Sequence, residues 1–185
     1  MNISDISKKF SADMKHDILM SHYPCYDYLI NESEVIIMEY EAALQKLFRD
    51  IGNSGIMVLS TCSGDRVTSR PMSVVVIDGR FYFQTDETYL KYRQLTDNPN
   101  VSLSVKNYSV EGIARDIGKP SENAEFMSAM TTHFPSAVSR WSALPSERVI
   151  EVSPTLIRSW IYENDIPFTE HFDFTKQIYI RERML

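Results

Sequence analysis

Cysteine is scarce in this sequence. Cys25 and Cys62 are the only two among 185 residues. They are too few for a disulfide framework and lack the spacing of a zinc site. A reducing compartment fits them, with one disulfide left open. Histidine is as thin, with His16, His22, His133 and His171 scattered along the chain. His22 and Cys25 stand close together, but an isolated pair of this kind reads first as part of a polar loop. The chain has no GxGxxG, no P-loop lysine motif, no HExxH and no GxSxG, so the common dinucleotide, nucleotide, zinc-protease and serine-hydrolase signatures are absent. Basic charge is lacking too. The net charge is −6, with −4 on residues 1–54 and −2 on residues 55–185. Neutralising a nucleic-acid backbone is therefore not its business, and an anionic ligand would need a few placed cations. No segment approaches the roughly 20 apolar residues that span a bilayer, and the first twenty residues lack the unbroken apolar core of a signal peptide. The expected location is the cytoplasm, with no membrane partner.

What the sequence does have is ordinary globular material. Hydrophobic residues make up 43 % and charged residues 24 %, with ten Tyr, nine Phe and two Trp, enough to bury a substantial core in one domain. Residues 1–36 read as an N-terminal arm or helical extension, with a helix plausible over 5–20. From Ile37 the apolar positions Tyr40, Leu44, Leu47, Phe48 and Ile51 follow at helical spacing. The period then changes. Residues 55–61, 66–77 and 80–84 predict three antiparallel strands, the last two joined at Asp78-Gly79, a strong type I′ hairpin signal. Pro71 marks a bulge or an edge in the second strand. Residues 86–97 predict a short helix closed by Asn98-Pro99. Val101, Leu103 and Val105 alternate with polar residues as a half-buried strand, and another strand follows over 109–117. Ser121 reads as the cap of a helix to about 132. Residues 148–152 and 155–161 predict two more strands, and the last twenty residues stay unassigned. Strands outnumber helices and tight turns join them, so the expected fold is mainly β with helices (α+β), an antiparallel barrel flanked by helices over residues 37–185.

One stretch carries a chemical pattern. In TSRPMSVVVIDGRFYFQTDETYLKYRQLTDNPNVSL, residues 68–103, Arg70 sits beside Pro71 in a strand, Thr85 ends the next strand, and Lys91 lies at the start of the helix after it. A guanidinium fork, a hydroxyl, an ammonium and free helix-start N–H groups together suit a phosphate. Taken alone, a strand Arg is usually a surface charge and a helical Lys says less still. Phe81 and Phe83 are expected in the core, and Cys62 as a small buried hydrophobe.

The order of these elements resembles the pyridoxamine 5′-phosphate oxidase-like family of FMN-binding split β-barrels. The likeness rests on Arg70 in the second strand, Phe81-Tyr82-Phe83-Gln84-Thr85, Lys91 six residues after the threonine, Asn98-Pro99 before the next strand, and Val110–Ile117 after it. It is good over residues 55–117 and looser over 121–161. It implies a homodimer with FMN at the subunit interface and a flavin-mediated redox reaction on a small-molecule substrate, with a reduced nicotinamide as possible electron donor. Arg70, Thr85 and Lys91 would hold the phosphate. The backbone at Met72 and Ser73 would face the isoalloxazine ring, Gln84 and Leu90 would line the pocket, Glu111 would come from the second subunit, and Trp160 would cover the ring. Two departures stand out. Tyr89 replaces a serine common in the family, and residues 168–185 lack the Arg and His segment with which true pyridoxamine phosphate oxidases grip their substrate. Oxidation of pyridoxamine 5′-phosphate itself is therefore not expected. The alternative is a non-catalytic carrier or sensor that binds flavin, a related deazaflavin, or haem through a residue such as His133 or His171.

Overall fold

The structure is a computed structural model that describes residues 40–184. The expected arm over 1–36, the helix over 5–20 and the His22/Cys25 pair lie outside the described residues. Helix α1 (Tyr40–Ile51) buries Ala43, Leu47 and Ile51, one face at four-residue spacing, while Lys46 pairs with Asp50 on the solvent side at 2.6 Å. Three strands follow as a meander, β1 (Ser54–Ser63), β2 (Arg66–Ile77) and β3 (Arg80–Asp86). The hairpin between β2 and β3 has positive φ at both Asp78 (47°) and Gly79 (75°). These two angles are what a type I′ turn demands and what this dipeptide supplies.

Helix α2 (Leu90–Asp97), β4 (Asn100–Val105) and β5 (Tyr108–Asp116) come next. A single 3₁₀ turn (Pro120–Glu122) then leads to α3 (Ala124–His133), α4 (Pro135–Trp141), β6 (Glu147–Glu163), β7 (Ile166–Asp173) and β8 (Ile178–Arg183). The strands run β3-β2-β1-β4-β5-β6-β7-β8, and a further β3–β6 pairing closes the first six into a barrel. All the pairings are antiparallel. The barrel interior is filled by Met57, Leu59, Val74, Phe81, Phe83, Leu103, Val110, Ile150 and Val152, closed at one end by Leu47 and Ile51 of α1. A second cluster packs Phe126 and Met130 of α3 against Val75 and Val149 on the barrel's outer face. Among the described residues no helix is long and apolar enough to cross a membrane.

Phe83 is fully buried at the middle of β3, opposite Ile150. Phe83→Ala should cost about 3–5 kcal/mol through lost burial and the cavity left behind. A urea-unfolding midpoint measures this, and a loss under 1 kcal/mol would contradict the packing described.

Several local expectations are corrected. The helix expected from residue 86 begins at Leu90, because the Asp86 carboxylate accepts the Thr88 N–H (2.8 Å) and hydroxyl (2.6 Å) and sets a turn first. Ser121 does not cap a helix. It lies in the 3₁₀ turn, and α3 starts three residues later. Helix α4, opened by Pro135, was not foreseen. The two strands expected over 148–161 are one. Pro154 falls at a register shift opposite Glu111 and Gly112 instead of ending the strand, and the Thr155 hydroxyl donates to the Glu111 carbonyl across it (3.2 Å). The unassigned C-terminal residues form β7 and β8, which extend the sheet from the far half of β6. Pro71 is at an edge: its register with β1 is unbroken, while β3 pairs with β2 only at Val75–Ile77.

Candidate functional site

A cavity of ≈ 210 Å³ opens where β2 runs past β3, beneath α4. β2 brings Pro71, Met72 and Ser73 to it, β3 brings Gln84, Thr85 and Asp86, and Tyr89 and Lys91 come from the start of α2. Met130, Ala137 and Trp141 of the helical pair wall it, and Glu147 at the start of β6 completes it. The sequence pattern brought Met72, Ser73, Gln84, Thr85 and Lys91 together, and the structure does too.

Positive and hydrogen-bond-donating groups gather at one end of the cavity, with Asp86 and Glu147 also on its wall. At the start of α2, Tyr89 makes no side-chain capping bond, so the first amides of the helix have no such partner and carry the positive end of its dipole. The Lys91 ammonium lies 4.5 Å over the centroid of the Tyr89 ring. The aromatic face thus holds the cation. Burial, and then the charge of Arg70, push the Lys91 pKa down; the charge of a bound anion would oppose both effects. Thr85 is buried, and its hydroxyl makes only a long contact with the Asp86 carbonyl (3.5 Å), so it is available as a donor.

Met72 and Ser73 pair with β1 on one side, and the β3 pairing starts only at Val75. Their other edge is therefore not covered by β3, which suits hydrogen bonds to a flat polar ligand. Gln84 lines the cavity but also ties α4 to the barrel, accepting from the Ser142 hydroxyl (2.7 Å) and donating to the Ala137 carbonyl (3.5 Å).

Arg70 flanks the cavity and is absent from its wall. Its guanidinium donates to the Thr61 hydroxyl (2.7 Å), the Thr68 hydroxyl and the Leu59 carbonyl (3.3 Å). The buried Gln94 of α2 joins the same network, its oxygen accepting from Thr61 and Thr68 at 2.7 Å each. Leu90 is exposed and does not line the cavity. Within one chain, Glu111 and Trp160 also stand apart from it. Glu111 pairs with Arg158 (2.6 Å) and lines a separate groove between β1, β4 and β5. Trp160 is 54 % exposed toward the far end of β6, stacked on Tyr162. Cys62 is not the buried hydrophobe expected; it is partly exposed, and its thiol donates to the Gly64 carbonyl in the turn (3.2 Å). Of the two histidines offered as haem ligands, His171 is buried on β7, where desolvation, with help from Arg158, drives its pKa down to about 4. His133 lies in a shallower groove that shares Ser73, Ala137 and Trp141 with the cavity.

Sequence reasoning missed Glu147. It is 4 % exposed and stands opposite Asp86 in the β3–β6 register. Burial, and then Asp86, raise its pKa to about 7 against the pull of Lys91. A lone glutamate before a predicted strand carries no signal; only the barrel closure brings it to the cavity. Trp141 was missed with α4.

Comparison with known proteins agrees with this architecture. The sequence profile of the pyridoxamine 5′-phosphate oxidase family matches residues 41–161. PhzG from Burkholderia lata 383, solved with tetrahydrophenazine-1-carboxylic acid, is similar at a TM-score of 0.55 and 17 % identity, over 82 % of this chain and 98 % of its own. General stress protein 26 from Bacillus anthracis gives 0.50 and 22 %, over 65 % and 92 %. A NimC/NimA family protein from Clostridium acetobutylicum gives 0.50 and 16 %, over 79 % and 96 %. At these identities the structural likeness concerns the fold. No curated protein sequence matches the chain.

Proposed function

This chain belongs to the pyridoxamine 5′-phosphate oxidase family, and from that premise we propose that it binds FMN and acts as a flavin-dependent oxidoreductase on a small molecule. The observation that carries the reading is the convergence of Lys91, Thr85 and the α2 N-terminus on one cavity whose other wall is the uncovered β2 edge at Met72 and Ser73. Lys91 and Thr85 hold the phosphate, with Arg70 supplying a second positive charge from the flank. The β2 edge orients the ring by backbone hydrogen bonds. Met130, Ala137 and Trp141 exclude water on the other side. A bound flavin supplies hydride acceptance and donation, and the protein contributes position and electrostatics.

The substrate is not pyridoxamine 5′-phosphate in this reading, since Arg181 of the terminal strand is engaged by Glu163 (2.6 Å) and the Phe168 ring. The chain works as a homodimer. In this reading the ≈ 210 Å³ cavity of one chain, below the range of about 300–1,000 Å³ usual for such sites, is completed by a second copy, and Glu111 is the residue expected from that copy. Ile56, Val58 and Val67 on the outer face of β1 and β2 are exposed and give such a contact apolar surface.

Adding NADH or NADPH anaerobically to the FMN-loaded protein tests the enzymatic part. Bleaching of the flavin band, restored by an acceptor, is the expected result. Flavin that stays bound and oxidised with either nicotinamide would favour the carrier reading.

A further inference from the structure

Glu147 is one of two carboxylates lining the cavity, with Asp86, whose charge opposes the ligand proposed for it. It is 4 % exposed and lines the cavity beside Thr85 and Lys91, and among the described residues no side chain or backbone N–H donates to its carboxylate. Its register partner Asp86 is already an anion held in place. The Asp86 carboxylate takes the Ser146 hydroxyl (2.5 Å) and the Thr88 N–H and hydroxyl, and these bonds keep its pKa low. The other charge acting on Glu147 is Lys91 of α2. Its strand neighbour Arg148 is turned to Asp116 at 2.9 Å, and α3 and α4 contribute only Met130, Ala137 and Trp141 to the wall. An ionised Glu147 would thus compete with a phosphate for Lys91 while facing a second carboxylate, its register partner Asp86. A neutral Glu147 would offer an O–H donor to that same phosphate.

We propose that Glu147 makes loading of the phosphorylated flavin proton-linked: FMN binds together with one proton that resides on the Glu147 carboxyl, whereas riboflavin, which has no phosphate, binds without it. This rests on the flavin reading above. It assigns to Glu147 the discrimination between phosphorylated and unphosphorylated flavin, strong in mildly acidic solution and weakened in alkali. Burial places the titration of this carboxyl at about 7 in the empty protein, within the range where the effect can be read. The sign follows: below that pH the proton is present and FMN is accepted, and above it binding must first protonate an anion.

The test is a pair of titrations between pH 7 and 8.5, where the FMN phosphate is already nearly all dianion, its second pKa being about 6. For the native chain the FMN Kd should rise on the order of ten-fold across this interval, since binding that requires one proton weakens tenfold per pH unit above the pKa. Riboflavin's Kd should stay within about two-fold. Glu147→Gln should bind FMN with the pH dependence removed. An unchanged slope in E147Q would place the proton elsewhere, Lys91 foremost, and overturn the proposal, as would a riboflavin slope equal to that of FMN. Calorimetry of the native chain at pH 8 in two buffers of different ionisation enthalpy gives a second readout should E147Q fold poorly. Uptake of close to one proton per FMN is expected, and none would overturn the proposal. Absence of FMN binding to either protein at every pH would remove the flavin reading itself, and this proposal with it.

Discussion

The double substitution Arg70→Ala with Lys91→Ala should weaken FMN binding at least a hundred-fold. A hydrogen bond from a charged donor contributes about 1.5–3 kcal/mol, and losing that of Lys91 together with the flanking charge of Arg70 gives at least roughly 3 kcal/mol, or about two orders of magnitude in Kd. Lys91→Ala alone should account for a ten- to hundred-fold loss by the same estimate. It is also the cleaner variant, because among the described residues the ammonium makes no ion pair and lies over the Tyr89 ring. Arg70 is bonded to Thr61, Thr68 and the Leu59 carbonyl, so its removal also leaves buried acceptors unpaired. A thermal melt of each variant separates that structural loss from the binding loss. Affinity unchanged within three-fold in a folded K91A protein would remove the site assignment and leave the barrel standing.

A large effect on stability is also expected at Gly112. A Cβ built there would lie 2.7 Å from both the Ser153 carbonyl oxygen and the Val152 Cγ1. The oxygen belongs to β6, which cannot retreat without opening the β5–β6 ladder at the register shift. Gly112→Ala should therefore cost roughly 2–4 kcal/mol, in the range of overpacked sites with backbone displacement. Gly55→Ala is the matched control, because its nearest atom would be Val105 Cγ2 at 4.0 Å. It should change stability by less than about 1 kcal/mol. Urea unfolding of both variants gives the comparison, and equal losses would contradict the close approach at Gly112.

The sequence was most legible where local chemistry and the fold agree. Asp78-Gly79 takes the two positive φ angles that its residues favour, and the alternation of Val101 and Leu103 with serines is the barrel's inside and outside. Phe81 and Phe83 point inward, while Tyr82 faces the other way and gives its hydroxyl to Glu151 (3.0 Å). Legibility failed where a long-range contact overrides a local signal. Pro154 falls between the two expected strands, yet β5 pairs with the strand on both sides of it, with β3 as the other neighbour before it and β7 after it, so β6 runs through. Helix α4 is too short and too little buried for its periodicity to stand out.

The candidate site divides in the same way. Thr85 and Lys91 are near in sequence, so the spacing itself brings them together. Glu147 reaches the cavity only through the β3–β6 pairing that closes the barrel, and no local pattern announces that pairing. Arg70 lies between these cases: its strand was foreseen, but its engagement with Gln94 and the two threonines depends on how α2 packs on β1.

The central claim is that this barrel is a flavin site, and the most direct measurement is the absorbance spectrum of purified protein after incubation with FMN and removal of the excess by gel filtration. The account predicts retained flavin bands at about one FMN per chain, carried by a species of two chains. A colourless protein after saturating FMN at pH 6.5, still folded by circular dichroism, would contradict it.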